Sequence, residues 1–211
     1  MKTALVAGAT GLIGEQLLGL LLQGGQYDKV IALVRREVAN RPKLEQRTIN
    51  LDDEKDYEGV KADDIFCCLG TTIGKAGSKE NFRKVDFQYP LMLARAMKRN
   101  GAKQYLIVTA LGANKNSSIF YNQVKGEVED AISKIGFDSI HILRPSLLVG
   151  DRKEKRSAED AAKWFYKAFG FLIPSKYKGI DVTKIARAMV AFAAEHERGI
   201  FIHESDVLQK Y

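Results

Sequence analysis

Residues 3–22 read TALVAGATGLIGEQLLGLLL, and the fold turns on them. An apolar run, Ala4, Leu5, Val6 and Ala7, meets Gly8, Gly11 and Gly14, after which Leu17, Leu18, Leu21 and Leu22 recur at helical spacing. That pattern predicts a strand, a tight turn and a helix. Glycine suits such a turn because it accepts positive φ, lets a phosphate approach the backbone with no Cβ in the way, and lets the helix pack close on the strand. The helix start then offers unpaired N–H groups and the positive end of its dipole to a pyrophosphate. Gly8, Thr10, Gly11, Leu12, Ile13 and Gly14 are therefore candidate cofactor-binding residues. A glycine triplet alone is a weak motif; its position between strand and helix makes it informative. The competing reading is a purely structural glycine turn in an α/β protein.

Outward from this turn, residues 29–36 (KVIALVRR) form a second buried strand whose exit would stand beside an adenine ribose. Arg35 and Arg36 occupy the place of the acid that would bind a ribose 2′-hydroxyl. A guanidinium there pairs with a 2′-phosphate, which favours NADP(H) over NAD; the alternative is a solvated basic strand end. Residues 44–51 make a third strand, followed by Asp52 and Asp53. Asp52 is placed to meet an adenine amino group, or else to cap a turn or helix. A fourth strand, 64–69, runs into Gly70-Thr71-Thr72, so Leu69, Gly70 and Thr71 sit at the carboxyl edge that lines the ligand crevice of open α/β sheets. Residues 73–78, with Gly74 and Gly77, read as a mobile loop. From 79 to 100 the apolar spacing is helical, Gly101 closes the helix, and Pro90 kinks or breaks it.

A fifth strand, 105–108, is followed by Thr109-Ala110-Leu111-Gly112 and a polar turn, and a helix then spans about 121–135. Tyr121 and Lys125, four apart, share one face of it. A lysine cation beside a phenol lowers its pKa and makes it a proton donor and acceptor at working pH. Such pairs arise by chance in many helices. Just beyond the fifth strand of a dinucleotide-binding chain, the pairing becomes specific.

The length of 211 residues and 45% hydrophobic content suit one large domain. The net charge of +7 suits anionic ligands, but acids are interleaved with the bases along the chain, so a nucleic-acid partner is not expected. Cys67 and Cys68, adjacent in an apolar run, read as buried reduced thiols in a reducing compartment. No apolar run reaches the roughly 18 residues of a membrane span, and the N-terminus reads straight into a strand instead of a cleavable signal. The expected location is cytoplasmic. His141, His196 and His203 lack ligand-like spacing with cysteines or clustered carboxylates, so no metal site is expected.

These motifs resemble the short-chain dehydrogenase/reductase family over nearly the whole chain: Gly8-xx-Gly11-xx-Gly14, Tyr121-xxx-Lys125 and Arg144-Pro145-Ser146. The runs CCLGTTIGKAG (67–77), Val85-Asp86 with Tyr89, QVKGEVE (123–129) and ILRPSLLVGDRKEKR (142–156) are similar to its atypical branch. The resemblance implies an NADP-binding Rossmann fold in which Tyr121 and Lys125 act as a reductase pair and Lys125 also holds the nicotinamide ribose hydroxyls. It implies too that Pro145, Leu147 and Leu148 pass the carboxamide end of the nicotinamide. One departure stands out. The family carries a serine or threonine at the end of strand five to bind the substrate oxygen, and here Ala110 takes that position, with Thr109 one residue away and, by strand alternation, on the other side. Thr109 is the remaining candidate hydroxyl, with Thr71 or Thr72 as a substitute.

A sixth strand, 140–144, leads into the charged residues 151–156, and then Ala161, Trp164, Phe165, Ala168 and Phe169 form a helical stripe. That stripe reads as a pocket wall, a dimer or partner surface, or a membrane-surface helix. Lys153, Lys155, Lys163, Lys167, Lys176 and Lys178 could attract an anionic substrate, or form a solvated face. A last large helix reaches about residue 195, and 199–203 form a seventh strand. The expectation is one doubly wound α/β domain over residues 1–211, a mostly parallel sheet of about seven strands, with 151–180 as a small substrate-pocket or interface segment. Its small C-terminal portion leaves little room for a deep sugar-nucleotide pocket. Two functions follow: an NADP(H)-dependent oxidoreductase of a small carbonyl or alcohol, working as monomer or homodimer, or an NADP(H)-binding regulator with little turnover.

Overall fold

Seven parallel strands carry the molecule, and alternation along each strand assigns its side chains to two opposite cores. In the computed structural model, which describes residues 1–149, 174–195 and 197–211, strands β1 (Thr3–Ala7), β2 (Lys29–Val34), β3 (Leu44–Thr48), β4 (Asp64–Cys67), β5 (Gln104–Val108) and β6 (Ser139–Arg144) are joined in one sheet by a C-terminal strand, Gly199–Glu204. A separate parallel pair consists of β7 (Leu148–Val149) and β8 (Ile180–Asp181), which makes the C-terminal strand β9. The order in the large sheet is β3-β2-β1-β4-β5-β6-β9. β1 and β4 pair from Ala4 with Asp64 to Ala7 with Cys67, so their carboxyl ends finish side by side where the order reverses.

Because helices cover both faces, the central strands are apolar along their length and do not alternate with polar residues. Ala4 and Val6 of β1 face a cluster with Leu17 and Leu21 of α1 (Leu12–Gln23) and Ile185, Met189 and Phe192 of a helix spanning Val182–Glu195. Leu5 and Ala7 face the other cluster, with Leu93 and Met97 of a helix at Tyr89–Arg99 and Val128 and Ile132 of one at Phe120–Ser133. At the amino edge the buried Asp64 carboxylate accepts from Tyr27 Oη at 2.5 Å and pairs with Lys2 Nζ at 2.8 Å, which pins the start of the chain.

Several expected boundaries shift, each for a local reason. β2, β3 and β4 stop at Val34, Thr48 and Cys67, before the expected ends at 36, 51 and 69, and this leaves Arg35, Arg36, Leu69, Gly70 and Thr71 in the loops of the carboxyl edge. The expected loop at 73–78 instead holds a short helix, α2 (Ile73–Ala76), capped by the Thr72 hydroxyl and ended by Gly77 at φ +76°. The expected single helix over 79–100 is three pieces: α3 (Lys79–Arg83), a π-helical turn (Lys84–Gln88) and α4 (Tyr89–Arg99). Pro90 has no N–H to give the Asp86 carbonyl four residues back, so the chain widens before the proline, which then sits in the first turn of α4. After these come α5 (Phe120–Ser133), α6 (Val182–Glu195) and α7 (Ser205–Leu208). The pair β7-β8 and helix α7 are too short for periodicity to show. The stripe from Ala161 to Phe169 and the charged residues 151–156 lie outside the described residues. Among the described residues no helix is long and apolar enough to cross a membrane.

Candidate active site

The glycine turn is set by packing on one side and open on the other. Gly8 has φ +82°, and a Cβ there would stand 2.6 Å from the Cys68 carbonyl oxygen; one on Gly14 would stand 2.1 Å from the Gly8 oxygen. Both glycines thus let α1, β1 and the exit of β4 touch. Gly11, the N-cap of α1, makes no side-chain cap hydrogen bond, and a Cβ there would meet only the Gly8 oxygen, at 3.3 Å. Among the described residues the first-turn N–H groups of α1 have no side-chain acceptor, which fits a diphosphate. Thr10 is exposed and Leu12 half-buried, whereas Ile13 points into the core and can offer only its backbone.

Arg35 and Arg36, one and two residues past β2, are exposed and form no ion pair among the described residues. Asp52 follows β3 and is held from the helix side: Lys84 Nζ lies 2.8 Å from one carboxylate oxygen, and Tyr89 Oη donates to it at 3.1 Å. Lys84 keeps this carboxyl below the usual range. The capping alternative falls instead to Asp53, whose side chain accepts from the Lys55 N–H.

On α5, Tyr121 and Lys125 face the exit of β4. Gly126 makes this possible, since a Cβ there would stand 2.1 Å from the Lys115 nitrogen of the loop after β5. The Tyr121 ring packs on Phe82 at 5.4 Å between centroids. Lys125 is buried, with Nζ 2.7 Å from Asp86 Oδ1; the other Asp86 oxygen accepts the Thr71 N–H at 2.9 Å. Burial works against the Lys125 charge, but Asp86, and after it Tyr121, outweigh burial and raise the ammonium pKa. Burial raises the Asp86 carboxyl in turn, with Lys125 pulling the other way. Asp86 thus joins the candidate site, although the sequence attached no role to it; its signals were the Val85-Asp86 pair with Tyr89 and Pro90 four residues on.

Thr109 is not where a substrate could use it. Its hydroxyl donates to Glu129 Oε1 at 2.6 Å and lies 3.3 Å from the Leu143 carbonyl, in a buried network that Arg144 completes with Nε 3.0 Å from the same Glu129 oxygen. That corrects the expected orienting role: Glu129, one turn past Lys125, takes the hydroxyl. Ala110 is buried beside it, and Thr72 is spent on capping α2. The Pro145 carbonyl accepts the Leu111 N–H, Leu147 is exposed, and Leu148 is drawn into the pair with Ile180. Of the six lysines expected to attract an anion, only Lys176 and Lys178 are described, and Lys176 is paired with Glu204.

Comparison with known proteins agrees with this geometry. The model of a family described as NAD(P)H-binding matches residues 8–195. Protein FMP52, mitochondrial, of Candida albicans is 33% identical over 207 residues, 92% of this chain and 89% of that protein. Rat Protein HTATIP2 is 34% identical over 197 residues, covering 90% and 80%. Among solved structures, the Bordetella bronchiseptica enzyme WbmH in complex with NAD+ superposes with a TM-score of 0.75 at 17% identity, covering 97% of this chain and 76% of its own. MoeE5 in complex with UDP-glucose and NAD gives 0.71 at 14%, covering 98% and 79%. The expected cytoplasmic location is overturned here, because fungal relatives at 30–38% identity are named mitochondrial. Cys67 is buried and Cys68, expected to be buried, is only half-buried; free thiols do not distinguish one reducing compartment from another, which is why that expectation failed. On sequence, fold and the arrangement of its glycine turn, the chain belongs to the NAD(P)H-binding family, as an atypical short-chain dehydrogenase/reductase like HTATIP2.

Proposed function

We infer that the protein is an NADP(H)-dependent oxidoreductase acting on a small carbonyl or alcohol. The observation that carries this reading is the pair on α5: Tyr121 beside a buried Lys125 whose charge Asp86 maintains. The α1 start, Gly8 to Gly14, would hold the diphosphate, Arg35 and Arg36 a 2′-phosphate, and Lys125 the nicotinamide ribose. Leu69, Gly70 and Thr71 would line the crevice, and Asp52, released from Lys84, would meet the adenine. Pro145 to Leu148 would flank the carboxamide. When bound, the nicotinamide supplies or accepts hydride. The chain's own part is to orient the substrate oxygen at the Tyr121 hydroxyl, which gives or takes the proton, and to keep a cation beside that exchange. With Thr109 bound to Glu129, Ala110 next to it and Thr72 capping α2, the Thr71 hydroxyl or a backbone N–H would orient the oxygen. We assign residues 151–180 to the substrate-pocket or interface side of the single domain.

A second reading, an NADP(H)-binding regulator with little turnover, is favoured by that same missing hydroxyl. Loss of one such donor costs about 2.7 to 4 kcal/mol of transition-state stabilisation. The experiment is NADPH oxidation against a panel of small aldehydes and ketones, with wild type and Tyr121→Phe. The enzyme reading expects turnover of at least one member, abolished by the substitution while NADPH still binds. Turnover that survives Tyr121→Phe removes the tyrosine from the reaction, and binding without any turnover supports the regulator.

A further inference from the structure

Asp86 is fully buried at its side chain, and both of its oxygens are engaged: Oδ1 by Lys125 Nζ at 2.7 Å and Oδ2 by the Thr71 N–H at 2.9 Å. One carboxylate therefore ties α5 to the loop that leaves β4. An ammonium has three N–H donors. With Asp86 as its ion-pair partner on one side, the ammonium can still direct two N–H groups at the two oxygens of a vicinal diol. Gly70 of that loop lies next to the pair: a Cβ built on it would stand 3.8 Å from Nζ and 3.4 Å from Asp86 Oδ1, in ordinary van der Waals contact. Removing two charges from water is costly, and a buried ion pair is weak evidence of stabilisation over an apolar pair of the same volume. Its position at the carboxyl edge, beside Tyr121, points to a role in the site.

We propose that Asp86 is a positioning residue for the nucleotide: its carboxylate fixes the Lys125 ammonium and the β4 exit loop in one geometry, keeping two N–H groups for the nicotinamide ribose. This rests on the reading of Lys125 given above. The titratable groups that face Lys125 are Asp86 from the π-helical turn, Tyr121 from its own helix and Cys67 from the end of β4. Of these only Asp86 is a carboxylate, and it is the group 2.7 Å from Nζ. Without it, burial favours the neutral amine, which keeps the ring of contacts but loses the cation.

The test is the NADPH dissociation constant from about pH 7 to about pH 9.5 for wild type, Asp86→Asn, Asp86→Glu and Lys125→Gln. Asparagine keeps the volume and one acceptor, for the Thr71 N–H, and removes the charge together with the acceptor that faces Lys125. The ratio of Asp86→Asn to wild type should rise about tenfold across that range, as a fall of about two units from the ordinary lysine pKa implies at about pH 9.5, while Asp86→Glu stays parallel to wild type. A ratio constant with pH is what a merely structural role gives, and it overturns the proposal. If Lys125→Gln weakens binding and Asp86→Asn runs parallel to wild type, Asp86 alone loses its role; if Lys125→Gln binds like wild type, the reading of Lys125 falls and the proposal with it. Should Asp86→Asn not fold, the Lys125 ammonium resonance of wild type serves: it is expected to persist to about pH 9.5 and to shift on adding NADPH, and no shift refutes the proposal.

Discussion

A methyl group on Gly14 would stand 2.1 Å from the Gly8 carbonyl oxygen, and one on Gly11 would meet that oxygen at 3.3 Å. The two glycines therefore do different things. Gly14→Ala forces α1 off β1, and urea unfolding should show a loss of about 3 kcal/mol. Gly11→Ala should cost under about 1 kcal/mol of stability yet weaken NADPH binding, because its methyl group lies where the phosphates approach. Equal losses of stability would refute the division. Arg35 and Arg36 supply the test of cofactor choice: the double change to alanine should weaken NADPH far more than NADH in a fluorescence titration, and parallel losses would remove the 2′-phosphate argument. At this scale the glycine turn and the placing of Tyr121 and Lys125 on one helix were legible, since each is a local pattern. Asp86 and Glu129 were not. Their roles depend on partners distant in sequence or on another element: Lys125 for the one, Thr109 and Arg144 for the other.

Among the elements, the helical run over 79–100 shows what periodicity cannot carry. Its apolar spacing was correct, and Pro90 rightly marked an interruption, but the form of the break, a π-helical turn ahead of the proline, decides where Asp86 points. At the other end of the sheet, β6 and β9 bring together two histidines that nothing in their spacing connected. His141 Nδ1 lies 3.0 Å from His203 Nε2, and Ser139 Oγ lies 3.1 Å from His141 Nε2. Burial pushes both imidazoles down to about 4, with His203 further opposing charge on His141. The folded pKa values are below those of the unfolded chain, so the unfolded state takes up protons first as pH falls. Stability from the pair is complete above about pH 6.5 and is lost as pH falls from there through about 4. The slope is at most about 1.4 kcal/mol per pH unit for each histidine, and smaller for the partly exposed His203. Thermal unfolding between pH 7 and pH 5 should show this fall, and His203→Gln, which keeps a partner for His141, should show a shallower one. An identical slope in the variant would mean that other groups set the acid limit.

Over the whole molecule, the parallel sheet was the most legible feature, because seven strand-like runs alternate with helical ones and only a few topologies satisfy that pattern. The reversal of order between β1 and β4 then places the glycine turn, the β4 exit and the start of α5 along one edge, with no further information needed. Location was not legible, for neither composition nor the two thiols distinguishes one reducing compartment from another. The net charge of +7 is spread over this frame with many local pairings, such as Lys115 and Lys134 on Asp130. Everything about function depends on the edge of that sheet receiving a pyridine dinucleotide, and calorimetric titration of the wild-type protein with NADPH and NADP+ measures this directly. Saturable binding at one site per chain, with a dissociation constant in the micromolar range or below, is the predicted result; the absence of heat with either form, and with NADH and NAD+ as well, would contradict the account.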